Sequence, residues 1–197
     1  MYVEGAAPGI SNQNVTKFRE SLHVFLERAL GKETPRPSII PAGGRDQAYK
    51  GFRNSLKTHP EAFSILLVDS EDPVTGDNTA AAHLEEREKW AVPDGRAHLM
   101  VQCMESWFLA DKQALAGYYR EGFREEALPQ NPKIEKIPKK LVMDGLKAAN
   151  KASKTKGEYH KTRHGFDILG LIDPNKVTKA SLFASKLIET LREKVAL

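Results

Sequence analysis

The sequence predicts an α/β fold in which a mainly parallel sheet is flanked by helices and followed by a helical C-terminal portion. Three observations carry this. Phe63-Ser64-Ile65-Leu66-Leu67-Val68 is a nearly continuous apolar run ending in acids, the pattern of a strand covered by helices on both faces. Strand-like and helix-like segments alternate through the first part of the chain, which favours parallel neighbours joined by helical crossovers. From Pro138 onward only helical periodicity remains. Residues 1–125 are therefore expected to form the α/β core, and residues 126–197 a helical, basic extension packed on it as one compact unit.

Taken in order, Tyr2-Val3 is expected as a short strand ending at Glu4-Gly5, followed by a loop through Pro8 and Gly9. Val15, Phe18, Leu22, Phe25, Leu26 and Ala29 then recur at helical spacing, with Gly31 as the stop. Ser38-Ile39-Ile40 is a second strand. It turns at Gly43-Gly44 into a helix capped by Asp46, with Ala48, Phe52 and Leu56 inward. The third strand, Phe63 to Val68, leads into a polar passage through Gly76, Asp77 and Asn78 and a helix from Ala81 to Trp90. Ala97 to Val101 reads as a fourth strand running into a helix from Cys103 to Tyr119, or as the start of one longer helix. Helices are expected near Pro138 to Lys151, Tyr159 to Ile172 and Ser181 to Val195.

Composition narrows the setting. No apolar run reaches the roughly 20 residues of a membrane helix, and the N-terminus lacks a basic region before a hydrophobic one, so a soluble, cytoplasmic protein is expected. The lone Cys103 excludes an internal disulfide and a cysteine-built zinc site. The formal charge is only +4, but lysine and arginine crowd Lys133 to Arg163. That stretch suits a phosphate backbone or a solvated helix face.

Ligands of open parallel sheets sit beyond the carboxyl ends of the strands, and two predicted strands end there in acids. Glu4 follows Tyr2-Val3, and Asp69-Ser70-Glu71-Asp72 follows the long apolar run. Residues two apart on an extended chain point to one side, so Asp69 and Glu71 can share a hard, oxygen-loving cation such as magnesium or manganese. The plainer reading makes Asp69 a helix cap and leaves Glu71 and Asp72 in a solvated loop. Arg45, at a helix start after two glycines, can bind phosphate or pair with a neighbouring acid. Glu105, between Met104 and Trp107, is costly to bury alone, so it either joins a metal cluster or pairs with a base such as Lys161, and pairing is preferred. Lys161 and His164 are further candidates for phosphate contact, and His164 for proton transfer. Trp107 reads as core and Asp111 as a helix cap or surface acid.

Val3-Glu4-Gly5, followed by an acid cluster after a hydrophobic third strand, resembles the toprim domain of topoisomerases, primases and overcoming-lysogenization-defect nucleases. Pro41-Ala42-Gly43-Gly44-Arg45, Leu67 to Pro73, His98 to Asp111 and His160 to Phe166 are similar to domain-of-unknown-function family 4276 across nearly the whole chain. The resemblance implies a toprim/Rossmann-like fold and a magnesium-dependent nuclease acting on RNA, including transfer RNA, or on DNA. It further implies an ABC-type ATPase partner in anti-phage defence, with a homodimer as another candidate assembly. Within it, Glu4 matches the toprim glutamate, a general acid or base beside the metal, and Asp69 and Glu71 match the metal-binding pair. The family pattern has aspartate as the second acid, which leaves Glu71 and Asp72 both open, with strand alternation favouring Glu71. Only three residues precede Glu4, so the first strand is expected to be short. The competing expectation is a regulatory subunit whose carboxylate site no longer turns over and which docks on the ATPase.

Overall fold

The computed structural model describes residues 1–6, 11–76 and 78–195. The loop expected through Pro8 and Gly9, and Asp77 of the polar passage, lie outside the described residues.

Four short strands, β1 (Tyr2–Val3), β2 (Ile40–Pro41), β3 (Leu66–Asp69) and β4 (Ala97–Met100), form one sheet in the order β2-β1-β3-β4, every neighbouring pair parallel. This is the expected α/β architecture of toprim/Rossmann-like type. Strand order reverses between β1 and β3, which makes their carboxyl ends the switch point at which such sheets bind ligands. Glu4 follows the first of these strands and Asp69 ends the second.

Alternation along β3 explains the two packed faces. Leu66 and Val68 join Ala48 and Phe52 of helix α2 (Arg45–Thr58) and Leu84 of helix α3 (Ala80–Glu88) on one side. Ile65 and Leu67 join Phe18, Leu22, Phe25 and Leu26 of helix α1 (Asn12–Leu30) on the other. Burying a side chain of this size contributes about 1.5–3 kcal/mol, so the apolar run Ile65 to Val68 leading to Asp69 is well anchored. Ser11 caps α1, and Gly31 follows its last turn.

The C-terminal half completes the α1 side. Helix α4 (Lys112–Tyr119), α5 (Lys139–Asn150), α6 (Phe166–Leu171), α7 (Pro174–Ala180) and α8 (Leu182–Val195) contribute Leu115, Leu146, Ile168, Val177 and Leu187 to the same core. Phe183 of α8 reaches the opposite face, beside β4.

Several elements differ from expectation. Asp46 does not cap α2. Gly44 occupies that position with no side-chain bond, and Asp46 sits in the first turn. The helix expected from Cys103 to Tyr119 is broken: Met104–Ala110 winds as a tight 3-10 segment, and Asp111 restarts the chain as α4 by accepting the Ala114 N–H. Tyr159 to Ile172 is helical only from Lys161, with a wide π-type turn over Lys161–Gly165 before α6. Helix α7 was not expected, although Asp173 at its cap and Pro174 at its first position are its start signals.

Candidate functional site

Three carboxylates separated by up to 67 positions meet at the switch point. One oxygen from each of Glu4, Asp69 and Glu71 lies within 4.8 Å of the others. Backbone pairing sets this up. The Glu4 N–H donates to the Leu67 carbonyl at 2.9 Å, and Glu4 Oε2 accepts the Asp69 N–H at 3.1 Å. Gly5 then exchanges two hydrogen bonds with Gly43, at 2.9 and 3.0 Å. A Cβ on Gly5 would stand 2.6 Å from the Phe18 ring, so a residue without one is needed where the chain leaves β1.

Asp69 is 3% exposed, and its Oδ1 accepts the Met104 N–H at 2.9 Å, capping the 3-10 segment across the sheet end. The capping reading was thus partly right, although the capped helix is distant in sequence. Burial pushes the Asp69 carboxyl up to about 8, with Glu4 and Glu105 adding and Lys161 and Lys139 opposing. Burial likewise raises Glu4, partly offset by the Asp69 N–H and Arg45.

Glu71 arrives by a route other than strand alternation. β3 stops at Asp69, and Glu71 takes a left-handed conformation at φ 65°, with its N–H donating to the Gln102 carbonyl at 3.0 Å. Asp72 is turned away: its carboxylate pairs with Arg87 at 2.7 Å. Glu71 is therefore the second acid of the cluster. His83 donates from Nε2 to the Ser70 carbonyl at 3.0 Å and fixes the loop between the two acids.

Two ammonium groups face the acids. Lys139 Nζ lies 2.8 and 2.7 Å from the two Glu71 oxygens and 4.0 Å from Asp69 Oδ2. Lys161 Nζ lies 3.4 Å from Glu105 Oε1. Burial works against its charge, but Glu105 and Asp69 outweigh it and hold Lys161 above the usual lysine range. Glu105 is fully buried, takes a second bond from Tyr159 Oη at 3.0 Å, and has no partner for Oε2 among the described residues. It therefore pairs with Lys161 rather than joining the carboxylate group. A cavity of about 180 Å³, lined by Glu4, Asp69, Gly43, Met104, Lys161 and Phe166, opens beside the cluster.

Two of the candidates for phosphate contact have partners within the protein. Arg45 turns its guanidinium to Glu88 at 3.1 Å and over the Trp90 ring at 5.4 Å, leaving it 4.0 Å from Glu71. His164 is 4% exposed, accepts the His160 N–H at Nδ1 (3.2 Å) and lies 3.1 Å from Tyr119 Oη, packed among tyrosines. Trp107 is core, and Asp111 binds Lys176 as well as capping α4. The sequence reading did not single out Lys139, His83 or Tyr159. Lys139 carried a usable signal: a cation opening a helix, where the dipole disfavours it, needs an acid nearby.

Among the described residues, Glu4, Asp69 and Glu71 are the group that could hold a hard cation. All their donors are oxygen, and a divalent charge would reverse the cost of ionising buried Asp69.

Residues 15–192 match the family model of a domain of unknown function, DUF4276. The chain belongs to this family. No curated protein and no solved structure matches it. The DUF4276 match takes in Asp69, Glu71, Glu105, Lys139 and Lys161, while Glu4 precedes it.

Proposed function

We propose that this DUF4276 chain is a magnesium-dependent nuclease of toprim type that cuts phosphodiester bonds in RNA or DNA. The observation that supports it is the meeting of Glu4, Asp69 and Glu71 at the switch point, with the ammonium groups of Lys139 and Lys161 beside them. Carboxylates alone would repel a phosphodiester, whereas carboxylates with a cation and two lysines attract it.

Asp69 and Glu71 would hold the magnesium, or manganese in its place, with Glu4 adjoining. When bound, the cation polarises the scissile phosphate and neutralises developing charge. Glu4, half-buried with a raised pKa, is suited to carry a proton at its carboxylate. Lys161, fixed by Glu105, orients the phosphate from the cavity side. The basic stretch contacts backbone rather than bases. An ABC-type ATPase partner and an anti-phage role rest on the family resemblance.

A second reading is favoured by Lys139. Its ammonium binds both Glu71 oxygens and stands where a cation would neutralise the acids, as expected of a regulatory subunit that does not turn over.

Cleavage of labelled transfer RNA and plasmid DNA separates the two readings. The nuclease requires cutting with magnesium, none with chelator, and a loss of at least about 100-fold in Glu4→Gln and Asp69→Asn. Absence of cutting by folded wild type, with the ATPase present, selects the regulatory subunit.

A further inference from the structure

A groove of about 670 Å³ lies where the C-terminal end of α4 meets Thr155, Lys156 and the end of α6. Ala114, Gly117 and Leu171 supply apolar lining, and Leu171 is 50% exposed. Arg120 and Lys156 supply the charge, and no carboxylate lines the groove. The Lys156 ammonium lies 4.7 Å from the centre of the Tyr118 ring.

Neighbouring acids are already engaged. Asp167 accepts the Tyr118 hydroxyl at 2.9 Å and pairs with Lys17 at 2.6 Å, and Glu121 pairs with Lys154 at 2.6 Å. Arg120 and Lys156, both exposed, form no ion pair among the described residues. Two cations without acids select an anion. The groove is far larger than one phosphate needs and is partly apolar, which suits a polymer whose charges alternate with less polar units.

Its position says which polymer. The π-type turn over Lys161–Gly165 joins the groove to the carboxylate cavity: Lys161, at its start, lines that cavity, while the His164 ring lies 6.0 Å from the Tyr118 ring of the groove. Residues 155–163 carry Lys156, Lys161 and Arg163 against one acid, Glu158. Arg163 is exposed on the connecting turn and likewise forms no ion pair among the described residues. Positive charge therefore runs from the acids to the groove without a break in the fold.

We propose that this groove holds the flank of the nucleic-acid strand being cut, its phosphates reaching Arg120 and Lys156 and its sugars crossing the apolar lining. The substrate is then a polynucleotide that extends past the carboxylate site, rather than a nucleotide or dinucleotide. This rests on the nuclease reading of that site.

The test is fluorescence anisotropy of labelled single strands of RNA and DNA, about 20 nucleotides long so as to exceed a single-strand site, titrated with the full chain in chelator. Saturable binding is expected, weakened about tenfold in Arg120→Gln/Lys156→Gln, with the log–log salt dependence shallower by about 1.4. Both positions are exposed, so the fold is kept. Lys50→Gln/Lys57→Gln, which removes the same charge from α2 on the other side of the sheet, should bind as wild type does. Cleavage with magnesium is read on the same proteins. Unchanged affinity in the Arg120/Lys156 double variant, with cutting intact, overturns the groove and leaves the nuclease standing. Groove-dependent binding without cutting by wild type overturns the nuclease and leaves a strand-binding groove. No saturable binding by wild type, equal loss in the α2 variant, or equal binding of polyglutamate, which would mark an acidic protein as the occupant, also overturns the proposal.

Discussion

The backbone N–H of Asp69 donates to Glu4 Oε2 over 3.1 Å, so the two acids that end neighbouring strands are joined before any ligand arrives. This bond holds Glu4 over the sheet edge, and burial with shared negative charge raises both carboxyls. An unmetallated site is therefore electrostatically costly.

That cost sets a pH dependence. Asp69 has a folded pKa near 8 against an ordinary value of 3.8, so the folded state binds more protons than the unfolded state between them. Its contribution to stability is present below the unfolded pKa and is lost as pH rises through about 8. Urea unfolding in chelator should give lower stability at about pH 8.5 than at about pH 6.5, and Asp69→Asn should flatten the difference. Magnesium should restore stability on the alkaline side. His98, lowered to about 4, acts with the opposite sign and removes stability as pH falls below its unfolded value of 6.5.

Glu71 occupies a left-handed conformation that suits glycine better than alanine. Glu71→Gly should be more stable than Glu71→Ala by about 1 kcal/mol, although both lose the same carboxylate. Equal stabilities would mean that the conformation at residue 71 relaxes when the contact with Lys139 is removed.

At Gly5 an added methyl meets the Phe18 ring at 2.6 Å. Gly5→Ala should cost about 1–3 kcal/mol in unfolding free energy and weaken cation binding, because Glu4 must move with the backbone. Wild-type values for both quantities would show that Glu4 is placed without this close approach.

The pair Lys161 and Glu105 is asymmetric. Glu105 is fully buried, whereas the Lys161 side chain is 48% exposed. Lys161→Ala strands a buried carboxylate and should destabilise by about 3 kcal/mol, while Glu105→Ala frees a lysine that water can solvate and should cost less. Chemical denaturation of the two variants gives the ordering directly.

Much of this was legible in the sequence. The apolar run to Val68 marked the central strand, and acids two apart behind it marked the cluster. Yet Glu71 reaches its place through its own left-handed turn and its contact with Lys139, while Asp72 pairs with Arg87, and neither partner is visible in the local spacing. Pairing of Glu105 with Lys161 followed from the cost of burying a lone carboxylate. For Arg45 the acid-pairing alternative is the one seen, with Glu88 and over Trp90, and His164 packs on Tyr119; these partners lie far off in sequence, so spacing alone left both roles open. Periodicity carried through Asp111 because the apolar spacing continues, while the side-chain bond that restarts the helix leaves no mark on that spacing.

Manganese binding, followed by the loss of free-ion paramagnetic resonance signal, tests the central claim most directly. The account predicts a saturable site in wild type that is lost in Asp69→Asn and Glu71→Gln and unaffected by Asp72→Asn. Full binding by the Asp69 variant, or none by wild type, would contradict it.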